Sequence, residues 1–152
     1  MKILKYSLYV IIALVILFFA MGLMSPSVSY GHEITVDKPI KEAWAVSQDQ
    51  SKYKLWLEGY KSMELLSGKK GAVGSTYKVI VNPGEGQPDF EMIETLTSIK
   101  EFDHVDMSFD SEFMDFEQTI TFKENNGKVT ITTDSKVIGK NIASRSMFAL
   151  ME

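Results

Sequence analysis

The first strong feature of the chain is an uninterrupted apolar run near its start. Residues 6–24 read YSLYVIIALVILFFAMGLM and contain no charged side chain. A run of about 19 such residues is long enough to cross the hydrocarbon core of a bilayer as a helix. Lys2 and Lys5 precede the run, and the positive-inside tendency places them in the cytoplasm. The pattern therefore predicts a transmembrane helix with the remaining residues on the extracytoplasmic side.

Two processing fates are open for this segment. A cleaved signal peptide has a shorter apolar region that ends at a small-x-small site, whereas this run is long and is followed by Ser25-Pro-Ser-Val-Ser29. We therefore interpret it as an uncleaved signal anchor, and the absence of cysteine excludes a lipoprotein anchor. The expected domains are a short cytoplasmic N-terminus (1–5), the anchor (6–24), a linker (25–28) and one globular domain (29–152).

Beyond the anchor, apolar and polar residues alternate with the two-residue period of strands. Residues 29–36 begin this pattern, and His32 shares a face with Ile34 and Val36. The triplet Asn125-Asn-Gly127 is a strong hairpin signal. Six further strands are predicted at residues 60–66, 75–81, 90–100, 104–110, 114–122 and 127–138.

Three segments have helical spacing instead. Asp37 and Pro39 favour a helix start, because Asp can cap free N–H groups and Pro is tolerated in the first turn. The helix that follows carries Trp44 on its apolar face, so we expect this ring in the core. A second helical turn is predicted at residues 49–57, and a last helix begins at Ile142.

Three motifs carry a resemblance to a known superfamily. They are the stretch from Ile34 through Pro39 to Trp44, the aromatic segment Tyr53-Lys-Leu-Trp56, and the glycine-bounded strand entry Gly71-Ala-Val-Gly-Ser-Thr-Tyr77. With the order of elements, they resemble the START-like, or SRPBCC, superfamily, which includes polyketide cyclase/dehydrase-like and lipid-transport proteins. The resemblance covers residues 29–152. It implies an α+β helix-grip fold, in which a curved antiparallel sheet of about six to seven strands surrounds a C-terminal helix and an apolar cavity.

The last helix departs from the pattern of this superfamily. The closing helix usually runs for several turns across the sheet, but barely three turns fit between Ile142 and Glu152. We expect either a sequence that lacks the rest of this helix or a shortened variant. A sheet that is only partly covered would expose apolar surface and favour association.

Composition excludes several classes of function. The 152 residues carry a net charge of -4, and no Lys/Arg cluster offers the basic patch that nucleic acid requires. With no cysteine, disulfides, thiolate metal sites and a cysteine nucleophile are excluded. The two histidines, His32 and His104, have no carboxylates at ligand spacing. We predict no metal, no cofactor and no nucleic-acid partner, and the sequence does not indicate an oligomeric state.

Glu94 is the most informative ionisable residue, and two strand phases are open for it. If Phe90, Met92 and Leu96 face inward, Glu94 does too, and burial would raise its pKa. It could then act as an acid or base, or bind a ligand hydroxyl. If Ile93 and its same-face neighbours point inward instead, Glu94 lies in water.

The two histidines are weaker candidates. His32 either looks into the cavity or lies at a strand end in solvent, and His104 is expected at the surface beside a turn. Only Glu94 and His32 are retained as weak catalytic candidates. The residues expected to line a ligand cavity are Tyr77, Val79, Met92, Glu94, Met107, Phe109, Phe116, Gln118, Ile131, Met147 and Met151.

Three functions remain open at this point. The first is a membrane-anchored domain that binds a lipid or other hydrophobic small molecule between the sheet and the C-terminal helix, where the amide of Gln118 would need a partner. The second is an enzyme similar to the cyclases and dehydratases of the superfamily, with Glu94, Tyr77 and His32 as acid–base groups. The third is an interaction domain with a filled core. The sequence does not decide whether a reaction is catalysed.

Overall fold

The computed structural model describes residues 2–25 and 27–150. This part of the chain contains four helices and seven strands, in the order that the sequence predicts. The helices are α1 (Lys2–Met24), α2 (Ile40–Gln48), α3 (Tyr53–Trp56) and α4 (Ile142–Ala149), with a 3-10 turn (Gln50–Lys52) before α3. The strands are β1 (Ser27–Val36), β2 (Tyr60–Ser67), β3 (Thr76–Val81), β4 (Phe90–Lys100), β5 (His104–Asp110), β6 (Met114–Asn125) and β7 (Lys128–Gly139).

The strands form one antiparallel sheet in the order β1-β7-β6-β5-β4-β3-β2. Strands β2 to β7 are neighbours in sequence and in space, while β1 pairs with β7 at the far edge. Helix α2 packs against β6 and β7. We call the face that contacts α2 the inner face of the sheet, and the opposite face the outer face. Side chains alternate between the two faces along each strand.

A core cluster fills one end of the inner face. Trp44 of α2 is 8% exposed and packs edge-on against Phe122 of β6, with ring centroids 5.1 Å apart. Leu96, Val105 and Val129, from β4, β5 and β7, complete the cluster. The sequence prediction that Trp44 is a core residue is confirmed.

The start of α2 corrects one detail of the sequence prediction. Its N-cap residue is Pro39, and Asp37 makes no capping hydrogen bond but lies exposed, with Oδ2 3.9 Å from Lys128 Nζ. The free N–H of Ile40 instead donates to Oε1 of Glu124 on β6, 3.2 Å away. The helix start is therefore satisfied from the sheet, and no local pattern in the sequence could indicate this.

Two strand boundaries also differ from those expected. β1 begins at Ser27, within the expected linker 25–28, because it pairs with β7 from that residue onward. β6 continues to Asn125, and the hairpin turns at Asn126 and Gly127, with φ values of 51° and 74°. Positive φ at both central residues is the signature of a type I′ turn. The predicted hairpin is confirmed.

Helix α4 crosses the inner face at the end of β7 and is closely approached from two sides. Asn141 caps its first turn. On the sheet side, a Cβ atom added at Gly139 would lie 2.6 Å from the backbone nitrogen of Arg145. On the opposite side, a Cβ atom added at Gly22 of α1 would lie 2.6 Å from the carbonyl oxygen of Ile142. Glycine alone allows both approaches, so α4 is packed between the sheet and the end of α1.

Helix α1 contains a segment, Lys5–Met24, that is long and apolar enough to span a membrane, with a mean hydropathy of 2.6. Only 6% of its most apolar window is buried. Among the described side chains, the contacts with α4 lie near the C-terminal end of α1, around Gly22. Residues 5–17 of the helix are exposed.

Candidate ligand-binding site

The strand register places one carboxyl among the apolar and aromatic side chains of the inner face. Glu94 on β4 lies directly opposite Tyr77 on β3 and Phe109 on β5. Directly opposed residues of antiparallel strands point to the same face and contact each other laterally. One step along the same face, Val79 lies opposite Met92. Glu94 therefore has an aromatic neighbour on each side and apolar neighbours along the strands.

The environment of Glu94 makes its carboxyl unusual. It is mostly buried and makes no hydrogen bond or ion pair with any residue of the described ranges. Burial raises its pKa from 4.5 to about 7, because the loss of water disfavours the charged form. A carboxyl with this pKa exists near neutral pH as both acid and carboxylate. It can therefore donate or accept a hydrogen bond.

Three tyrosines surround this carboxyl. Burial first, and the charge of Glu94 second, raise the pKa of Tyr53 to about 12 and also raise the pKa of Tyr60. The Tyr53 ring packs edge-on against Tyr60, with centroids 5.6 Å apart, and against Trp56, with centroids 5.4 Å apart. These tyrosines come from α3 and β2, so the short helix closes the side of the inner face next to Glu94.

Tyr77 is the third tyrosine and is held rigidly. It is 3% exposed, and its hydroxyl oxygen accepts the N–H of Gly71 at 2.8 Å. The glycine-bounded turn that precedes β3 is thereby fastened to the inner face. The hydroxyl of Tyr77 has a structural partner, whereas the carboxyl beside it has none among the described residues.

The middle of the inner face contains a polar pair and an aromatic pair. Gln118 of β6 lies opposite Ser135 of β7, and its Nε2 donates to the Ser135 Oγ at 3.3 Å. The amide therefore has a partner within the protein. Phe109 and Phe116 stack in a tilted arrangement, with centroids 5.2 Å apart. The aromatic pair lies in the same row as Glu94, and the polar pair lies one row nearer the core cluster, in line with Met107 and Leu96.

The register shows where each residue on the predicted cavity list lies. Nine of them have side chains on the inner face, although Met107 and Ile131 pack against the core cluster. Met147 of α4 is 52% exposed, and its place in the cavity stays a prediction. Met151 lies outside the described residues. The nine are Tyr77, Val79, Met92, Glu94, Met107, Phe109, Phe116, Gln118 and Ile131.

The two strand phases left open for β4 are both realised, in different halves of the strand. A register shift between Leu96 and Ser98 forms a bulge in the pairing with β5. Before the bulge, Glu94 and Leu96 point to the inner face; after it, Ile99 does so and joins the core. A bulge adds one residue to a strand and reverses the phase of all that follows, which is why a single alternation could not fit the whole segment.

The histidines do not join the site. His32 lies exposed on the edge strand β1. His104 was expected at the surface but is half-buried, because its ring bonds to Asp103 Oδ1 (2.7 Å) and Ser98 Oγ (3.1 Å). Within residues 2–25 and 27–150, no group of three or more His, Asp and Glu side chains is placed to hold a metal ion.

Sequence reasoning missed two residues of this site, Tyr53 and Tyr60. Both were visible as aromatic residues, but they belong to different elements, and nothing in their spacing indicates that they meet at Glu94. The pairing of β2 with β3 is the signal that could have identified Tyr60. Tyr60 begins β2 opposite Val81, which shares a face with Tyr77, so it belongs to the inner face once β2 and β3 are paired.

A groove of about 620 Å³ lies across β1, β5, β6 and β7, and most of the side chains that line it belong to the outer face. Its lining is rich in polar side chains, including Asp106, Glu117, Asp134 and Lys136. Open polar grooves of this kind are filled by water, whereas binding sites for small molecules are predominantly apolar. We therefore place the candidate site on the inner face, around Glu94.

Comparisons with known proteins agree with this architecture. No family model matches the sequence, and no curated protein matches it significantly. Among solved structures, the chain is similar to Ara h 8.0201, with a TM-score of 0.62, 14% identity, and coverage of 83% of this chain and 99% of that one. It is similar to norcoclaurine synthase from Thalictrum flavum, with a TM-score of 0.58, 13% identity, and coverage of 88% and 92%.

A third similar structure is the di-domain ARO/CYC protein BexL, with a TM-score of 0.63 and 11% identity. That match covers 84% of this chain and 45% of BexL. At such low identity these likenesses establish architecture and no more. With its seven-stranded antiparallel sheet, its two short helices after β1 and its helix after β7, the chain has the helix-grip fold of the SRPBCC, or START-like, superfamily.

Proposed function

We propose that this chain is a membrane-anchored domain that binds a lipid or another hydrophobic small molecule on the inner face of its sheet. In this proposal α1 is the anchor and the region around Glu94 is the binding site. The superfamily fold supports a ligand-binding or cyclase-type role, and the length and hydropathy of α1 support the membrane location.

The observation that carries the proposal is the unpartnered carboxyl of Glu94. The residue is partly buried, and its carboxyl oxygens are not fully enclosed, so a polar group of a ligand can reach them. Here it lies beside Tyr77 and Phe109, where a filled core would place an apolar residue. A ligand that offers one hydroxyl or amine would satisfy the carboxyl, and the aromatic and aliphatic neighbours would bury its apolar body. We therefore expect a mostly apolar ligand with one polar group.

Native mass spectrometry of the full chain, released from detergent in the instrument, tests this proposal. The wild type should retain a discrete extra mass that organic extraction identifies as an apolar molecule. Glu94→Gln should retain less of it, because a neutral amide oxygen is a weaker hydrogen-bond acceptor than a carboxylate. Glu91→Gln is the matched control, since Glu91 is an exposed residue of the same strand that pairs with Lys78 at 2.7 Å. No bound molecule, or one retained equally by Glu94→Gln, would refute the assignment.

A second candidate function is acid–base catalysis by the same carboxyl. It is favoured by the pKa of Glu94, because general acids and bases work best when their pKa lies near the operating pH. The natural substrate class would be a carbonyl-rich, polyketide-like molecule. An enzyme would convert such a molecule in the wild type and in Glu91→Gln, while Glu94→Gln would lose turnover. A pure binding domain would return the molecule unchanged in all three.

A further inference from the structure

The position of α4 relative to α1 carries an inference about the membrane itself. Lys5–Met24 comprises 20 residues, which at about 1.5 Å per residue span roughly 30 Å, the thickness of the hydrocarbon core. Gly22, where α4 crosses, is two residues from the end of this segment. If the segment fills the hydrocarbon core, the crossing point lies only about 3 Å inside its boundary. Helix α4 is therefore at the level where acyl chains meet headgroups.

The three sides of α4 have different surroundings. Ser146 faces α1, where a Cβ atom added at Gly22 would collide with its Oγ, and it is fully buried. Ser144 faces the sheet, near Gly139, and is also buried. Successive helix residues are about 100° apart, so Met147 lies on the third side, whereas Leu150, the C-cap residue four positions after Ser146, lies nearer the Ser146 side. Met147 and Leu150 are 52% and 62% exposed.

Exposed apolar residues of α1 lie close in sequence to the point where α4 crosses. Leu23 and Met24, the last two residues of α1, are 70% and 83% exposed. They lie within one turn of the crossing point at Gly22. Exposed apolar residues on a membrane helix and on a helix packed at its end have one environment in common, which is the bilayer.

We propose that α4 lies in the interfacial layer of the membrane that α1 crosses, with Met147 and Leu150 turned toward the acyl chains. This inference rests on the proposed membrane anchoring by α1. Helices that lie in the interface bury one apolar side by 5–10 Å at the headgroup boundary, as a general estimate. The partner of this surface is thus a lipid bilayer rather than another protein.

The charges near α4 indicate which lipids it would contact. Arg145 uses its Nε to donate to the Gly139 carbonyl at 2.8 Å. Lys140 forms ion pairs with Asp110 (2.8 Å) and Asp115 (3.3 Å). Lys140 is therefore neutralised within the protein, whereas Arg145 donates to a neutral carbonyl and keeps its positive charge. Because the proposed contact is carried mainly by apolar side chains, we expect it to form on zwitterionic vesicles.

This orientation has a consequence for ligand entry. Val137, two residues before Gly139 on the inner face, is buried, and the same strand carries Ser135 beside Gln118. The end of the inner face that α4 covers would then lie against the membrane. A hydrophobic ligand could pass between the bilayer and the inner face without crossing water.

The cysteine-free sequence allows a direct test. The full chain would be reconstituted in phosphatidylcholine vesicles as single-cysteine variants carrying an environment-sensitive fluorophore. Met147→Cys and Leu150→Cys probe the proposed contact. Leu14→Cys, in the middle of α1, reports insertion, and Leu55→Cys, an 82% exposed position on α3, reports water. We expect labels at 147 and 150 to be quenched by nitroxides placed shallowly in the acyl chains and to resist aqueous iodide several-fold better than a label at 55.

Two outcomes would overturn the inference, and they are distinguishable. If the label at 14 is protected while those at 147 and 150 are quenched by iodide as strongly as the label at 55, α1 is inserted but α4 is in water. If the label at 14 is also accessible, the membrane anchoring fails and the inference falls with it. Gly22→Leu adds a second check, because separating α4 from α1 should move the label at 147 toward water while the label at 14 stays protected.

Discussion

The two ends of the inner face are built for opposite purposes. At one end, Trp44, Phe122 and Val129 are buried against each other, and the packing is apolar throughout. At the other end, Glu94 is surrounded by tyrosines and its carboxyl has no partner in the described part of the chain. The first arrangement maximises stability. The second lowers it, and proteins tolerate such destabilising groups mainly where a ligand or a reaction uses them.

Replacement of Trp44 should have the largest effect of any change on this face. Trp44→Ala removes a buried ring that packs at 5.1 Å from Phe122 and 6.0 Å from Phe102. We expect a loss of about 3–5 kcal/mol in the free energy of unfolding, the usual range for aromatic-to-alanine changes in a core. Chemical denaturation of the reconstituted chain measures this. A loss below about 1 kcal/mol would mean that this end is not a packed core.

Whereas Trp44 stabilises the fold, the charged form of Glu94 should destabilise it at high pH. Its pKa is raised from 4.5 in the unfolded chain to about 7 in the fold, so the folded state binds the proton more tightly. The stabilisation is complete below pH 4.5 and is lost as the pH rises through 7. The loss amounts to about 3 kcal/mol at most, since one pKa unit corresponds to about 1.4 kcal/mol.

Glu94→Gln isolates this contribution from those of other groups. The variant should be close to wild type in stability at pH 5 and more stable than wild type at pH 8, and the difference between the two curves should follow one titration. Glu91→Gln should show no such change in its stability relative to wild type between pH 5 and pH 8. A Glu94→Gln variant that is less stable than wild type at pH 8 would show that the carboxylate has a favourable partner after all.

The contrast between the two ends was only half predictable from the sequence. The strand alternation and the type I′ turn at Asn126 and Gly127 are local signals, and they led to the correct elements. The bulge after Leu96 and the meeting of Tyr53 with Tyr60 depend on the partner strand and on α3. The contact of Gly22 with Ser146 joins residues more than 120 positions apart. Such contacts depend on tertiary packing, which a single sequence does not express locally.

Tyr77→Phe tests whether the hydrogen bond between Tyr77 and Gly71 stabilises the turn before β3. The change removes the hydroxyl that accepts the Gly71 N–H at 2.8 Å and leaves the ring in place. We expect a loss of about 1 kcal/mol, the usual net value of one hydrogen bond, and faster amide hydrogen exchange at Gly71. An unchanged exchange rate would mean that the turn is held by other contacts.

The smallest expected effect concerns the boundary between the two ends, at Gln118. Gln118→Leu removes the donor to Ser135 at 3.3 Å, and the loss of this hydrogen bond costs about 1 kcal/mol. The change also replaces a half-buried amide with an apolar side chain, and this stabilises the fold by a similar amount. We expect a net change within about 1 kcal/mol of zero, and the double variant Gln118→Leu with Ser135→Ala should be no less stable than the single one. A loss as large as that of Trp44→Ala would place this row within the core. A small loss would leave the boundary between Ile120 and Gln118, where the apolar packing gives way to polar groups that face the site.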